Sequence, residues 1–383
     1  MKLARIDSQP LRGKRVLLQI ELPPPGHPFA SYYLNECTET LDLLRERGAH
    51  VLITGHPVHT QRPESVSFSA YTDELGRRLN CTLPFFATPE DTKKAVPALE
   101  HEPAVMLDNL LHIQGEGGSA KAHVKILAEG IDFFVNEAPG TLADGYSSSV
   151  HMPELRPAFA GMRLSERVEA LTELQAGKPS PSVFIMGGQD VAASIVLLRK
   201  NLASMDGLIV GGIVANTALK GNALQMGSSV LDAPRQSDAF QIIERARLEE
   251  CHVELPIDHV IADRISSKAK LKSSGREVPE GWMSVDVGPK TLSNYEKLLK
   301  KAGVVFMHGP LGASDVPEFR AGTIRLLKFL VKTGARVILA GEDLCHIAIE
   351  NGISFPFLFP DSRSVQRFLS GQELTALAAL SPR

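Results

Sequence analysis

A fold of two α/β parts, each a parallel sheet covered by helices on both faces, is predicted by three features of the sequence. Short apolar runs alternate with helical patterns almost from end to end, and a βαβα rhythm implies parallel strands. One helical segment, 165–178, stands alone between two such series. In the second series three strands deliver glycine at their carboxyl ends, at Gly187-Gly188, Gly211-Gly212 and Gly341.

The first strand is predicted over 16–22 (VLLQIEL). Leu34, Leu41, Leu43 and Leu44 then recur at helical spacing before Gly48, and a second strand follows at 51–54. Runs at 104–107 and 133–135 continue the series. Ser165 is placed as the N-cap of the lone helix, which presents Val168, Leu171 and Leu174 on one face and ends at Gly177-Lys178-Pro179-Ser180-Pro181. Such a helix between two αβ sets is a candidate connector. The second set has strands at 183–186, 208–210, 253–261, 304–306 and 337–339. The polar, basic segment 268–276 reads as a solvated loop.

The totals exclude several classes. The 383 residues suffice for two ordinary domains. Hydrophobic residues at 43% and charged residues at 22% are those of a soluble globular chain. A net charge of -3 gives no reason to expect a nucleic acid partner. No apolar run is long enough to span a bilayer and no secretory h-region is visible, so a cytoplasmic location is expected. Cys37, Cys81, Cys251 and Cys345 are scattered without CxxC spacing, which argues against zinc and disulfides.

The most informative stretch is 278–323. It opens with VPEGWMSVDVGPKT and closes with VVFMHGPLGASDVPEFRAGT. Gly309 and Gly312 lie where a strand gives way to a loop, with Asp315 beyond. Glycine-rich turns of this kind let backbone N–H groups approach a phosphate. The stretch resembles the phosphoglycerate kinase family, whose pattern reads roughly IPxGWMxLDIGPxT and then VVWNGPMGVFExxxFAxGT. The resemblance extends from about residue 15 to about residue 380 with the order of motifs preserved. It implies two doubly wound Rossmann-like domains joined by a central helix: an acid-substrate domain over 1–164, the helix over 165–178, a Mg-ATP domain over 179–361, and a segment, 362–383, returning to the first domain.

Position by position, the resemblance implies lost chemistry. In the family's RVDFN strand end, the substrate-binding Asp is Glu21, followed by Leu22, and the Asn is Pro23. The arginine of the next helix aligns with Tyr33. The SHLGRP motif keeps its histidine as His56, but its arginine is His59. The arginine of ENLRF is Leu111, and that of VNDAFGTAHRAHAS is Asp144, with Glu137 at the earlier Asp. In GGAKVSDK both lysines are replaced, by Asp190 and Ser194. The Asn before Gly-Pro is His308, and the ribose-facing Glu is Asp315. Asp343 matches the family's Mg-ATP aspartate. The late STGGGAS loop aligns with 359–365, without its glycines but with Arg363 added.

The family cations act on phosphate, so no catalytic set is intact. Nucleotide binding, as Mg-ATP or Mg-ADP if at all, is expected to be weak and to use Gly187, Gly188, Gly211, Gly212, Pro310, Asp315, Gly341 and Asp343, with Asp343 holding the metal through the nucleotide. Asp144 and Asp190 reverse sign and, with Glu21, Glu137, Asp315, Glu342 and Asp343, imply an acidic cleft suited to a cationic ligand or a basic protein surface. His56 and His59 lack a visible third ligand and read as structural or solvated rather than as a metal pair. The expectation is a monomeric, catalytically degenerate relative with a ligand- or partner-binding role. The alternatives are an active ATP:3-phosphoglycerate phosphotransferase, and a phosphotransferase on another substrate.

Overall fold

The structure, a computed structural model, describes residues 3–87 and 91–380. The chain divides into two compact units. One runs through Ala170 and takes in the segment from Gln372 onward; the other is Leu171–Gly371.

In the first unit the strands are β1 (Arg15–Leu22), β2 (His50–Pro57), β3 (Phe85–Phe86), β4 (Ala104–Leu107), β5 (Phe133–Asn136) and β6 (Ala158–Ala160). They form one sheet in the order β3-β4-β2-β1-β5-β6, parallel throughout. β1 and β2 are buried at every position after the first. That is why each opens on a continuous apolar run, at 16–18 and 51–53, rather than on alternation.

The second unit holds β7 (Ser182–Met186), β8 (Gly207–Val210), β9 (His252–Glu254), β10 (His259–Ala262), β11 (Leu271–Ser274), β12 (Met283–Val287), β13 (Val304–His308), β14 (Arg336–Ala340) and β15 (Phe357–Phe359). Six of them make a second sheet in the order β15-β14-β13-β7-β8-β9, again parallel. The remaining three form an antiparallel sheet, β11-β10-β12.

Three sequence expectations are corrected. The run at 253–261 is not one strand. Pro256 brings no N–H to a ladder, and Asp258 turns the chain by accepting from the amides of Thr291 (2.8 Å) and Lys290 (3.0 Å). β9 and β10 therefore join different sheets. The segment 268–276 is not wholly loop, since β11 lies within it, mostly exposed. Ser165 is not an N-cap. The helix begins earlier, as Met162–Gln175, because its first amides are capped from elsewhere: Met162 N–H donates to Thr40 Oγ1 (2.8 Å) and Leu164 N–H to Glu137 Oε1 (2.6 Å).

The division of the chain falls inside that helix, at Ala170. The C-terminal segment leaves the second unit only at Gln372, later than residue 362. The helix Arg363–Leu369 stays with the second unit because Asn201 and Gln175 donate to the carbonyls of Leu369 (2.8 Å) and Phe368 (2.9 Å).

Candidate functional site

Each large sheet reverses its strand order once, and open α/β sheets hold ligands in the crevice beyond that point. In the second unit the reversal lies between β7 and β13, whose last residues, Met186 and His308, are register partners. The chain then turns at Gly187-Gly188 and at Gly309-Pro310. The turns approach so closely that a Cβ on Gly309 would stand 2.8 Å from Gly188 Cα. Both glycines also have positive φ, +72° and +73°, where a side chain is disfavoured. Their amides are committed within the protein: Gly188 N–H donates to Pro310 O (2.8 Å) and Gly309 N–H to Ala340 O (3.1 Å). The amides of Gly187, Gly211, Gly212 and Gly341 are likewise given to the carbonyls of His308, Met186, Leu311 and Phe359.

These turns border a cavity of about 170 Å³. Ile213, Val230, Val285 and Leu311 supply apolar lining. Asp286, Asp315 and Asp343 supply carboxylates, and among the described residues no Lys or Arg lines it. Asp286 is buried and accepts from the amides of Gly322 (2.6 Å) and Val287 (2.8 Å). Burial outweighs those bonds and pushes its pKa up to about 7. Asp315 and Asp343 are exposed, and Asp343 accepts from Ser314 Oγ at 2.9 Å.

At the start of the helix Val191–Asn201, Asp190 is the N-cap, accepting from Ala193 N–H at 2.9 Å. Ser194 Oγ donates back to Asp190 O at 2.7 Å. His308 is buried, and its Nε2 accepts from the Gln366 amide at 2.8 Å. Burial, opposed by the charge of Asp190, holds its pKa below the usual imidazole value.

In the first unit the reversal lies between β1 and β5. Glu21, near the end of β1, is buried and accepts from the amides of Gly140 (2.8 Å) and Thr141 (3.2 Å). Pro23 is buried, and its carbonyl accepts from Tyr71 Oη at 2.8 Å. Tyr33 Oη and His59 Nε2 lie 2.8 Å apart, with His59 stacked on His27 at 5.1 Å. Leu111 is half-buried, its amide held by Asn109 Oδ1. Asp144 closes the 3-10 turn Pro139–Ala143, its amide on Thr141 O.

The family to which this geometry belongs is settled by comparison with known proteins. A profile of the phosphoglycerate kinase family matches residues 6–372. The chain belongs to the phosphoglycerate kinase family. It is 30% identical over 394 residues to a Leptospira biflexa phosphoglycerate kinase, covering 100% of this chain and 99% of the relative. A Clostridium perfringens phosphoglycerate kinase is 28% identical over 402 residues, covering 99% and 98%. The phosphoglycerate kinase structure from Coxiella burnetii superposes with a TM-score of 0.88 at 27% identity, covering 99% of this chain and 98% of that one. The Pyrococcus horikoshii OT3 structure, at 21% identity and TM-score 0.82, shares the fold. Among the described residues no helix is long and apolar enough to cross a membrane.

Within this phosphoglycerate kinase fold, four of the residues at the expected cation positions have taken up structural bonds of their own. Tyr33 and His59 pair with each other, Asp190 caps a helix, and Ser194 bonds to the same turn. A Mg-ATP phosphate tail fits this lining poorly. It would meet carboxylates without a Lys or Arg, and the glycine amides of the turns are already donated. The acidic surface expected of Glu21 and Glu137 is not formed, because both are buried.

One cluster escaped the sequence reading. Glu116 is fully buried and accepts from His56 Nε2 (2.7 Å), His123 Nε2 (2.6 Å) and Ser148 Oγ (2.5 Å). His56 Nδ1 then accepts from the Gln19 amide at 2.9 Å. His56 is thus held by a carboxylate in the 115–118 loop that no periodicity singles out.

Glu137 sets up a pH test. It is fully buried; burial raises its pKa to about 7, against the lowering bonds from Thr40 Oγ1 and Leu164 N–H. A raised carboxyl favours folding below pH 4.5 and loses that contribution as pH rises through 7. The loss is about 3 kcal/mol at 1.36 kcal/mol per pKa unit. Glu137→Gln keeps an acceptor for Leu164 and can donate to Thr40. The variant is therefore expected to be more stable than the wild type at pH 8 and no more stable at pH 4 in urea titrations. A loss at pH 8 would refute the assignment.

Proposed function

We propose that this member of the phosphoglycerate kinase family has lost phosphoryl transfer and keeps a ligand-binding role in its second unit. The observation that carries the reading is the commitment of the substituted positions. A neutral residue could be silently tolerated, but Tyr33 bonds to His59, and Asp190 caps the helix that Ser194 also serves. Phosphoryl transfer depends almost wholly on positioning and on cations stabilising phosphoryl oxygens. His56 is engaged by Glu116, and Arg363 pairs with Asp361 at 2.9 Å. His308 is held neutral by burial. A cytoplasmic location, as expected for phosphoglycerate kinases, is part of the same reading.

The second reading is an active ATP:3-phosphoglycerate phosphotransferase of glycolysis. It is favoured by full-length similarity to curated phosphoglycerate kinases. The two are separated by coupling 1,3-bisphosphoglycerate formation to oxidation of a reduced nicotinamide, with an established phosphoglycerate kinase as control. No turnover is expected. A rate within about a hundredfold of the control would establish the second reading, since one lost transition-state arginine already costs about 10³–10⁵.

A further inference from the structure

We infer that the cavity of the second unit takes an uncharged nucleoside in preference to a nucleotide. The inference rests on the reading that phosphoryl transfer is lost, and it names the ligand class of the same site. Three features of the cavity set that class.

The first is size. At about 170 Å³ the cavity falls below the roughly 300–1,000 Å³ of pockets that enclose a drug-sized molecule. A heterocyclic base fits such a space, with its sugar toward the exposed Asp315 and Asp343. The apolar lining from Ile213, Val230, Val285 and Leu311 suits the faces of that ring.

The second is the sign of the charge. Asp315 and Asp343 are exposed carboxylates of the lining. A carboxylate is acceptor-only when ionised. It therefore recognises neutral O–H donors such as a sugar diol, and it repels a phosphate. Asp190 adds a further exposed carboxylate at the head of the neighbouring helix.

The third is the state of the backbone. Glycine turns and helix N-termini bind phosphate through N–H groups left without partners. Here the amides of Gly188, Gly212 and Gly341 are donated to carbonyls of the protein at 2.8–3.0 Å. At the helix Val191–Asn201, the Asp190 side chain occupies the Ala193 amide. A phosphate would have to displace a carboxylate to reach that amide. Each added phosphate thus brings repulsion from the lining carboxylates that the donated glycine amides do not offset, and affinity falls from nucleoside to triphosphate.

The test is calorimetric titration of the full chain with adenosine, guanosine and their triphosphates, each triphosphate with and without Mg²⁺. At least one nucleoside is expected to bind about tenfold or more tightly than its magnesium triphosphate. A magnesium triphosphate that binds as tightly as its nucleoside overturns the inference. So does the absence of binding by both nucleosides at about 1 mM. Ile213→Trp adds bulk at a half-exposed lining position; it should abolish nucleoside binding while leaving the ligand-free melting temperature within a few degrees. Asp190→Lys with Ser194→Lys should reverse the order toward triphosphate, and an unchanged order overturns the role given to charge. The coupled kinase assay is run on the same preparation. Turnover there defeats the reading of lost catalysis, whereas a silent preparation that prefers Mg-ATP defeats only the nucleoside inference.

Discussion

Glu116→Ala is expected to lower the stability of the first unit by about 3–5 kcal/mol, the usual cost of removing one partner from a buried charged cluster. His56, His123 and Ser148 all donate to this carboxylate. Without it their N–H and O–H groups face an apolar interior, and an unmade buried hydrogen bond costs more than a made one contributes. The pH dependence identifies the source. Burial alone would raise the Glu116 pKa, but bonds from His123, His56 and Ser148 prevail and bring it down to about 2. A lowered carboxyl stabilises the fold above its unfolded pKa of 4.5 and loses that contribution as pH falls toward 2. The difference corresponds to about 3 kcal/mol. Glu116→Gln retains acceptor and shape but no charge, so its acid limb should be flatter than that of the wild type. Urea unfolding followed by circular dichroism between pH 3 and pH 8 reads both effects. An acid limb identical in Glu116→Gln and wild type would remove Glu116 from this account.

What could be read from residues alone follows the range of the interactions. The central strands β7 and β13, and β1 over 16–18, are visible because both faces are buried and the apolar run there is continuous. The break between β9 and β10 was hidden inside an apolar run, because it depends on Asp258 meeting the amides of Lys290 and Thr291. The start of the helix Met162–Gln175 has no local signal for the same reason, since Thr40 and Glu137 cap it from distant positions. At the site, the substitutions were legible one by one against the family pattern. Their new bonds were not. Tyr33 and His59 belong to different elements, and only the fold brings them to 2.8 Å. Glu116, in a glycine-rich loop, has no local signal at all; its role depends on His56, His123 and Ser148 arriving around it.

Restoring a single cation, Ser194→Lys, is expected to leave phosphoglycerate kinase turnover undetected. Ser194 is buried and its hydroxyl serves the first turn of its helix, so a lysine there must extend toward a site bearing the opposing carboxylate of Asp190. A second obstacle is the number of missing cations. Tyr33, His59, Leu111 and Asp144 remain where the family resemblance implies arginines. Hydrogen bonds to charged groups contribute about 1.5–3 kcal/mol each. Four such losses exceed half of the roughly 8 kcal/mol that holds a micromolar ligand, even allowing for departures from additivity. A transition-state arginine carries a further factor of about 10³–10⁵ in rate. Rescue therefore requires at least the complete set: Tyr33→Arg, His59→Arg, Leu111→Arg, Asp144→Arg, Asp190→Lys and Ser194→Lys. Tyr33→Arg and His59→Arg must be made together, because the two side chains are bonded to each other and either change alone leaves a half-satisfied pair. The coupled assay measures each step of the series against an established phosphoglycerate kinase. If Ser194→Lys alone came within about a hundredfold of that control, the missing charge would have to be supplied by residues assigned here to structure. The commitment of Tyr33, His59 and Asp190 to their internal bonds would then have no bearing on catalysis.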